Sequence, residues 1–230
     1  MLGLAFSGGK DSMACWYLTR EENPIVLWVN TGKNYPEALE IIDEIRSQTS
    51  NFIEITSDQE GQTALNGLPS DLVPADAVHG ANFTGTQPVR VQPYWSCCYA
   101  NLAEPLMAKA RELGITHLVR GQRDDEAHKS TVRDGAVVDG ITMIHPIESW
   151  SAARVLDFVR ERRGSLPDHY KIEHSSLDCY DCTAFLAHSM DRIDWMREKH
   201  PSLFAKYATK MRQLKSACAE PTRLMEMINA

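Results

Sequence analysis

Long apolar runs are missing from this 230-residue sequence, and none approaches the roughly 18 residues that a membrane-spanning helix needs. The opening segment MLGLAF reaches glycines too soon to form the apolar core of a signal peptide, so we expect a cytoplasmic protein with no membrane partner. An excess of basic residues is also missing, because 24 Lys and Arg stand against 31 Asp and Glu, a net charge of −7. This balance excludes an arm that binds polyanions along its whole length.

The composition that remains is that of an ordinary globular protein, with 43% apolar and 24% charged residues. We find no internal repeat and no low-complexity linker, and we predict a single domain over residues 1–230. The sequence has six cysteines. Because disulfides are not expected in a reducing compartment, clustered cysteines are considered first as metal or redox sites.

Strand-like and helix-like patterns alternate along the chain, which predicts an α/β fold with a doubly wound, mostly parallel sheet. The apolar segments of strand length are residues 2–6, 25–29, 52–55 and 116–119. Residues 57–93 are rich in glycine, proline and polar side chains and are too long for a plain connection, so we predict a functional loop insertion there. Residues 186–230 are predicted to form a helical C-terminal extension.

A glycine turn, Ser7-Gly8-Gly9-Lys10-Asp11-Ser12, lies between the first strand and the first helix. Backbone N–H groups at such a helix start can hold an anion, and Lys10 adds a positive charge. Ser7 and Ser12 add hydroxyl groups, and Asp11 is expected to cap backbone amides or to help hold a metal ion. The spacing matches neither the Walker A motif nor the dinucleotide fingerprint, since Gly8 and Gly9 are adjacent. The segment therefore predicts a phosphate site of a different kind.

Four of the cysteines form two pairs: Cys97 and Cys98 are adjacent, and Cys179 and Cys182 form a C-x-x-C motif. Four thiolates suit either a tetrahedral zinc ion or an iron–sulfur cluster. Adjacent cysteines rarely bind one zinc ion from the same knuckle, so the spacing favours a cluster, with zinc as the alternative. Tyr94 and Trp95, just before the first pair, are expected to shield it.

The segment SGGKDS resembles the signature of the PP-loop ATP pyrophosphatase superfamily. Within that superfamily, the two cysteine pairs resemble the 4Fe–4S motif of the phosphoadenylyl-sulfate and adenylyl-sulfate reductases. Further segments occur in that family's order, and the resemblance covers about residues 1 to 185. These segments are Asn30-Thr31-Gly32, Tyr35-Pro36-Glu37, Pro105-Leu106, residues 121–126 (GQRDDE) and residues 146–151 (PIESWS).

The resemblance implies an enzyme that binds an adenine nucleotide and reduces the sulfate of adenylyl sulfate or phosphoadenylyl sulfate to sulfite, with a thioredoxin-like thiol donor. It implies a 4Fe–4S cluster on Cys97, Cys98, Cys179 and Cys182. The nucleotide-binding residues that it implies are Ser7, Gly8, Gly9, Lys10, Asp11, Ser12, Thr31, Gly32, Gly121 and Arg123.

Two departures from the family pattern concern the chemistry. The basic pair that follows the adjacent cysteines in such reductases is replaced by Tyr99 and Ala100. The C-terminal Glu-Cys-Gly-x-His motif, which carries the nucleophilic cysteine, is absent, and Cys218 in a helical pattern is the remaining candidate for that role. Because attack on sulfur requires a thiolate, the reductase needs Cys218 or an external thiol.

Two other functions therefore stay open. One is an ATP-dependent enzyme, with Mg²⁺ accompanying the nucleotide, that adenylates or inserts sulfur into a nucleobase or tRNA. The net charge disfavours a nucleic-acid partner, but a local basic patch would be compatible with one; its candidates are Arg111, Arg120, Arg123, Lys129 and Arg133. The other is a non-catalytic nucleotide sensor with a structural cluster.

Overall fold

The computed structural model describes residues 1–70, 91–126, 130–171, 177, 179–184 and 190–228. The chain divides into two compact units, where the sequence analysis predicts a single domain. Unit 1 comprises Met1–Ser57 and Leu102–Leu177, and unit 2 comprises Asp58–Asn101 and Asp178–Ala230. Most of the predicted insertion and all of the predicted C-terminal extension thus belong to the same unit.

The elements of the described residues are named in chain order. The strands are β1 Leu2–Ala5, β2 Ile25–Asn30, β3 Phe52–Thr56, β4 Leu68–Ser70, β5 Val91–Pro93, β6 His117–Val119, β7 Val137–Val138 and β8 Ile141–Ile144. The helices are α1 Lys10–Thr19, α2 Pro36–Gln48, α3 Gln59–Asn66, α4 Tyr94–Cys98, α5 Glu104–Glu112, α6 Ala152–Arg163, α7 Met190–Lys199 and α8 Pro201–Ile228. Short 3₁₀ turns cover Arg20–Glu22 and Asp168–Lys171, and a π-helical turn covers Tyr99–Ala103.

Unit 1 contains a six-stranded sheet in the order β3-β2-β1-β6-β8-β7. Every neighbouring pair is parallel except β7 and β8, which are antiparallel. The predicted α/β class with a mostly parallel sheet is confirmed. The chain winds from β1 outward to β3 and later returns to β6 on the other side of β1, so the topological switch point lies between β1 and β6. In open α/β sheets, ligands bind outside the carboxyl ends of the strands at this point.

Apolar clusters cover both faces of the sheet. One face packs against α1, α2 and α6, in a cluster that contains Leu4, Trp16, Ile42 and Val159. The opposite face packs against α5 through Ala110 and the neighbouring apolar residues of the strands. Because α1 lies between the sheet and α6, most of its residues are buried, the polar ones in its first turn included.

Unit 2 combines α3, α4, α7 and α8 with a two-stranded parallel ladder of β4 and β5. Asp58 caps α3 by accepting a hydrogen bond from the Gly61 N–H at 2.8 Å. A small core of Leu68, Val91 and Leu214 joins the ladder to α8. Within the described part of the chain, every helix is too short or too polar to cross a bilayer.

Candidate functional site

The glycine turn lies at the switch point of the unit 1 sheet, directly after β1. Gly8 adopts a φ of +79°, which favours glycine because other L-residues rarely adopt such an angle. A Cβ atom there would also lie 3.3 Å from the Ala38 carbonyl oxygen of α2. Gly8 therefore lets the chain turn sharply from the buried strand into α1, with Gly9 in the N-cap position.

Two serine hydroxyls shape this turn. The Ser12 hydroxyl donates to the Gly9 carbonyl oxygen at 2.9 Å and accepts a hydrogen bond from the Ser7 N–H at 3.2 Å. The two hydroxyl oxygens, of Ser7 and Ser12, lie 3.3 Å apart. These contacts hold the turn in an open loop whose hydroxyls and amides cluster at the start of α1, the arrangement that suits an anion.

Tyr170, from the 3₁₀ turn Asp168–Lys171, completes the start of α1. Its hydroxyl accepts a hydrogen bond from the Lys10 N–H at 2.6 Å, in a buried setting. The first amide of a helix has no partner within the helix, so this contact satisfies a donor that is otherwise orphaned. The sequence analysis did not identify Tyr170, because 160 residues separate it from Lys10 and no local motif contains it.

Beneath the turn, Asp11 links two buried cations. Lys10 is 4% exposed and its Nζ lies 2.9 Å from Asp11 Oδ2, while Arg123, 5% exposed, donates from Nη1 to Asp11 Oδ1. Gly121 brings the arginine close, since a Cβ atom there would lie 2.8 Å from the carbonyl carbon of Asp11. Only glycine allows the loop after β6 to approach the backbone of α1 this closely. The fold thus brings together the glycine turn and the segment of Gly121 and Arg123, which the sequence analysis identifies separately.

Carboxylates surround the Arg123 guanidinium on several sides. Its Nε lies 2.8 Å from Asp125 Oδ1 and its Nη1 lies 3.8 Å from Glu126 Oε1. Burial alone would lower the pKa of Arg123, but hydrogen bonds and charges from Asp11 and Asp125 raise it instead. Burial raises the pKa of Glu126, as does the negative charge of Asp11, against the opposing effect of Arg123. The charge of Arg123 is therefore compensated within the site.

Thr31 and Gly32 follow β2, the neighbour of β1, at the same edge of the sheet. Thr31 is buried, and its Oγ1 accepts a hydrogen bond from the Lys33 N–H at 3.3 Å. The Gly32 N–H donates to Asn30 Oδ1 at 2.8 Å, and Gly32 has a φ of +70° with open space around its Cα. Since carboxyl ends of parallel strands share one edge, this tight turn lies beside the glycine turn.

All four clustered cysteines lie in unit 2, and none of the six cysteines forms a disulfide. Cys97 and Cys98 end α4, and the Cys182 N–H donates to the Cys179 carbonyl oxygen at 3.1 Å, which closes a tight turn. Among the described residues, no three His, Cys, Asp or Glu side chains converge at metal-binding distance. The four thiols thus lie in one unit, two at the end of α4 and two on the Cys179–Cys182 turn.

Polar side chains from other elements of unit 2 anchor the two cysteine pairs. The Asn101 amide donates to the Cys97 carbonyl oxygen at 2.9 Å and to its Sγ at 3.5 Å. Asp181, inside the Cys179–Cys182 turn, pairs with Lys210 Nζ of α8 at 2.8 Å. Burial raises the pKa of the Cys97 thiol, while Asn101 and Lys210 act in the opposite direction. Burial outweighs these neighbours, so the net shift of the pKa is upward, and a metal would have to displace the thiol proton to bind.

Residues 2–185, four fifths of the chain, match the family model described as the phosphoadenosine phosphosulfate reductase domain. The chain belongs to the phosphoadenosine phosphosulfate reductase family. It is 25% identical over 180 residues to an adenosine 5'-phosphosulfate reductase of Allochromatium vinosum. This match covers 76% of the chain and 65% of that relative, so the chain spans just under two thirds of the relative's length.

A crystal structure of the phosphoadenylyl-sulfate reductase of Candida auris, in a phosphate complex, shares the fold. The two structures superpose with a TM-score of 0.51 and 14% sequence identity. The match covers 77% of this chain and 80% of the Candida auris chain. At this identity the likeness supports the fold, in agreement with the sheet order described above.

In this family member, Cys218 lies on α8 and packs against the apolar cluster of Leu68, Val91 and Leu214. A cysteine packed in this way contributes as a small apolar side chain, so the position suits packing better than attack on a bound substrate. Trp95 stacks on Tyr94 with ring centroids 4.8 Å apart, yet 52% of Trp95 is exposed. Shielding of the cysteines by Trp95 stays a prediction, and about half of the side chain lies in solvent.

Most of the basic patch that the sequence suggested is neutralised by carboxylates. Arg111 pairs with Asp139 at 2.8 Å, and Arg133 pairs with Asp124 at 2.6 Å. Arg123 is buried among its own acidic partners, as described above. Lys129 lies outside the described residues. A polyanion would meet compensated charges here, which weakens the electrostatic attraction on which nucleic-acid binding depends.

Proposed function

We propose that the protein binds an adenine nucleotide at the sheet edge beyond β1 and β6 and reduces its sulfate group to sulfite, with an external thiol as reductant. The observation that carries this proposal is the meeting of the Ser7–Ser12 turn with the loop of Gly121 and Arg123 at the switch point. The family match and the relative named as an adenosine 5'-phosphosulfate reductase support the choice of substrate.

The turn provides the groups that a nucleotide phosphate requires. Ser7 and Ser12 offer hydroxyls, and Lys10 and Arg123 offer two positive charges that Asp11 holds in position. Charge-assisted hydrogen bonds to phosphate are stronger than neutral ones, so these cations would dominate the affinity. The turn at Thr31 and Gly32, beside them on the next strand, is proposed to contact the nucleoside.

The reaction proposed is a two-electron reduction of sulfur. A thiolate attacks the sulfate sulfur, an S–S bond forms, and the S–O bond to the nucleotide phosphate breaks, so that the nucleoside phosphate leaves. A second thiol then attacks the sulfur of the first thiol, which releases sulfite and leaves a disulfide. Adenylyl sulfate and two thiols thus yield AMP, sulfite, a disulfide and two protons. Lys10 and Arg123 stabilise the negative charge on the leaving phosphate.

The reductant is proposed to be a thiol outside this chain, of the thioredoxin or small-dithiol class. Cys218 is the candidate within the chain, but it packs against Leu68, Val91 and Leu214. There it contributes as a small apolar side chain, whereas the attack requires a sulfur that reaches the substrate.

We also propose that Cys97, Cys98, Cys179 and Cys182 hold a 4Fe–4S cluster. Four thiols in one unit form a soft donor set, and the adjacent pair together with the tight C-x-x-C turn suits several iron atoms better than one zinc ion. When bound, such a cluster supplies a redox-active and strongly polarisable centre. Asn101 and Lys210 hold the two cysteine segments and offset the negative charge of the thiolates.

The activity is tested by supplying adenylyl sulfate and a dithiol and measuring the release of sulfite and AMP. We expect sulfite from the wild type and at least a tenfold loss in Lys10→Gln, because a charge-assisted contact is removed. Lys109→Gln is the matched control, since this half-buried lysine of α5 pairs, within the described ranges, with Glu112 of the same helix. Pyrophosphate release from ATP without sulfite would favour the adenylating alternative, and neither product would favour a nucleotide sensor.

The cluster is tested by iron and sulfide analysis after anaerobic purification. We expect about four iron and four sulfide per chain and a strong loss of both in Cys97→Ala. Cys218→Ala is the control within the same unit and should keep both. A colourless protein loaded with zinc would contradict the cluster and leave the nucleotide site unaffected.

A further inference from the structure

The C-terminal helix α8 contacts both of the residues that lie between the cysteines of the C-x-x-C turn. Asp181, whose side chain is 3% exposed, pairs with Lys210 Nζ at 2.8 Å. Tyr180 is buried, and Lys206 Nζ lies over its ring, 5.8 Å from the centroid. Lys206 and Lys210 are four residues apart, so they lie on the same face of α8. One face of α8 therefore holds the segment that carries the second cysteine pair.

Tyr207 lies between these two lysines in the sequence, and its hydroxyl is buried without a partner. The residue is 3% exposed, and among the described residues the hydroxyl forms no hydrogen bond. A buried tyrosine hydroxyl usually has a partner, because an unpaired one costs the free energy of its removal from water. The unpaired phenol therefore points to a group that binds next to it.

The electrostatic neighbours of α8 identify the cysteines as the place where that group binds. Burial raises the pKa of Tyr207, the positive charge of Arg192 on α7 opposes this, and negative charge at Cys182 raises it further. The phenol therefore keeps its proton and can donate a hydrogen bond. Burial also raises the pKa of Cys97, and the charge of Lys210 opposes that shift. The same helix thus acts on one cysteine of each pair.

We propose that the Tyr207 hydroxyl donates a hydrogen bond to a sulfur atom of the four-cysteine site when its cluster is bound, while Lys206 and Lys210 hold the C-x-x-C turn. This inference rests on the proposed cluster. Hydrogen bonds to sulfur and nearby positive charges stabilise a thiolate-bound metal site, because they offset its negative charge. All three residues lie beyond residue 185, where the match to the family model ends, so a helix outside that match completes the site.

The experiment uses the protein purified anaerobically with its cluster. Tyr207→Phe removes the hydroxyl and keeps the ring. A chelator should remove iron from this variant about tenfold faster than from the wild type, since residues that support metal ligands contribute about 10- to 100-fold to metal affinity. Tyr99→Phe is the matched control, because Tyr99 is 60% exposed in the same unit and should leave the rate unchanged.

Resonance Raman spectroscopy tests the hydrogen bond itself. The iron–sulfur stretching bands of the wild type should shift when H₂O is exchanged for D₂O, because an exchangeable proton is donated to sulfur. This deuterium shift should be smaller in Tyr207→Phe and unchanged in Tyr99→Phe. A role of Tyr207 in packing alone would leave the shift the same in all three proteins.

Lys210 is tested by substitutions that remove or keep its charge. Lys210→Gln leaves the buried Asp181 carboxylate without this lysine, so iron loss should again be about tenfold faster. Lys210→Arg keeps the positive charge and should retain the cluster as the wild type does. Lys215→Gln, at an exposed position of the same helix, is the matched control and should have no effect.

The outcomes separate this inference from the proposed cluster. A wild type that holds neither iron nor sulfide would refute the cluster and the inference with it. Equal rates of iron loss in the wild type and in Tyr207→Phe, with the cluster present in both, would overturn the inference alone. Faster loss with an unchanged deuterium shift would also overturn it, because the hydroxyl would then act through packing.

Discussion

The ion pair between Asp11 and Arg123 should couple two distant segments of unit 1 strongly. We consider a double-mutant cycle of Asp11→Asn, Arg123→Gln and the double variant. Both side chains are nearly buried, 12% and 5% exposed, and they lie 112 residues apart in the chain. A buried charge that loses its partner destabilises a protein by about 3–5 kcal/mol. Arg123 keeps Asp125 in the Asp11 variant, so we expect the lower end of that range there.

The informative quantity is the coupling free energy, because it cancels effects that each substitution has alone. For directly contacting buried groups we expect about 1–3 kcal/mol. The chain provides a matched control in Arg111 and Asp139, an ion pair of 2.8 Å whose side chains are 38% and 61% exposed. Exposed pairs contribute about 0.2–1 kcal/mol, because water screens them.

Urea unfolding followed by circular dichroism measures the free energies of both cycles under the same conditions. A coupling for the Asp11 and Arg123 pair that is no larger than that of the surface pair would refute the reasoning. It would mean that water reaches the guanidinium and that the two loops do not depend on each other. Raising the salt concentration should reduce the surface coupling more than the buried one.

Three further predictions concern single residues of both units. Tyr170→Phe should lower the free energy of unfolding by about 1–3 kcal/mol, because the first amide of α1 loses its acceptor in a buried setting. Iodoacetamide should modify the partly exposed Cys218 in the native protein but Cys15 only after unfolding, since Cys15 is fully buried and burial raises its pKa. Mass spectrometry measures the alkylation of each cysteine, and labelling of Cys15 in the native protein would contradict its burial. Burial lowers the pKa of His145, so on acidification the unfolded chain protonates this imidazole before the folded chain does, and the free energy of unfolding should fall as the pH drops below about 6.5. Urea unfolding should show a weaker pH dependence of this free energy in His145→Gln. An unchanged pH dependence would contradict the burial of the ring.

The strands that the sequence predicts are those with continuous apolar runs. The strands that it misses are short, and local apolar patterns do not identify them. Residues 25–29 form an unbroken apolar segment and are the first five of the six residues of β2. β8 also lies inside the sheet, but it has four residues, and polar Thr142 interrupts it. Its burial depends on parallel pairing with β6, a tertiary contact that no local sequence pattern predicts. The same limit explains β4 and β5, which are three residues each.

In the candidate site too, the sequence identifies local motifs but not the contacts between distant residues. The glycine turn and the Gly121–Arg123 segment are local motifs, so the sequence identifies each of them. Their meeting, and the contact of Tyr170 with the start of α1, depend on residues more than 100 positions apart. Lys210 lies beyond residue 185, where the family match ends, and pairs with Asp181 through the packing of α8. Sequence patterns therefore identify the site's segments, and the fold determines which side chains meet.

The contacts of Asp11, which the sequence does not predict, affect how the turn would bind an anion. The sequence analysis assigns it to capping or to a metal ion, whereas the structure places its carboxylate between Lys10 and Arg123. Under the proposed function, a phosphate at the turn would meet cations that are already oriented, so less side-chain entropy would be lost on binding. It would also compete with Asp11 for their charge, which weakens the attraction of a simple anion. Affinity then has to come from several contacts at once, and the site would discriminate a whole nucleotide from inorganic phosphate through the turns after β1, β2 and β6 acting together.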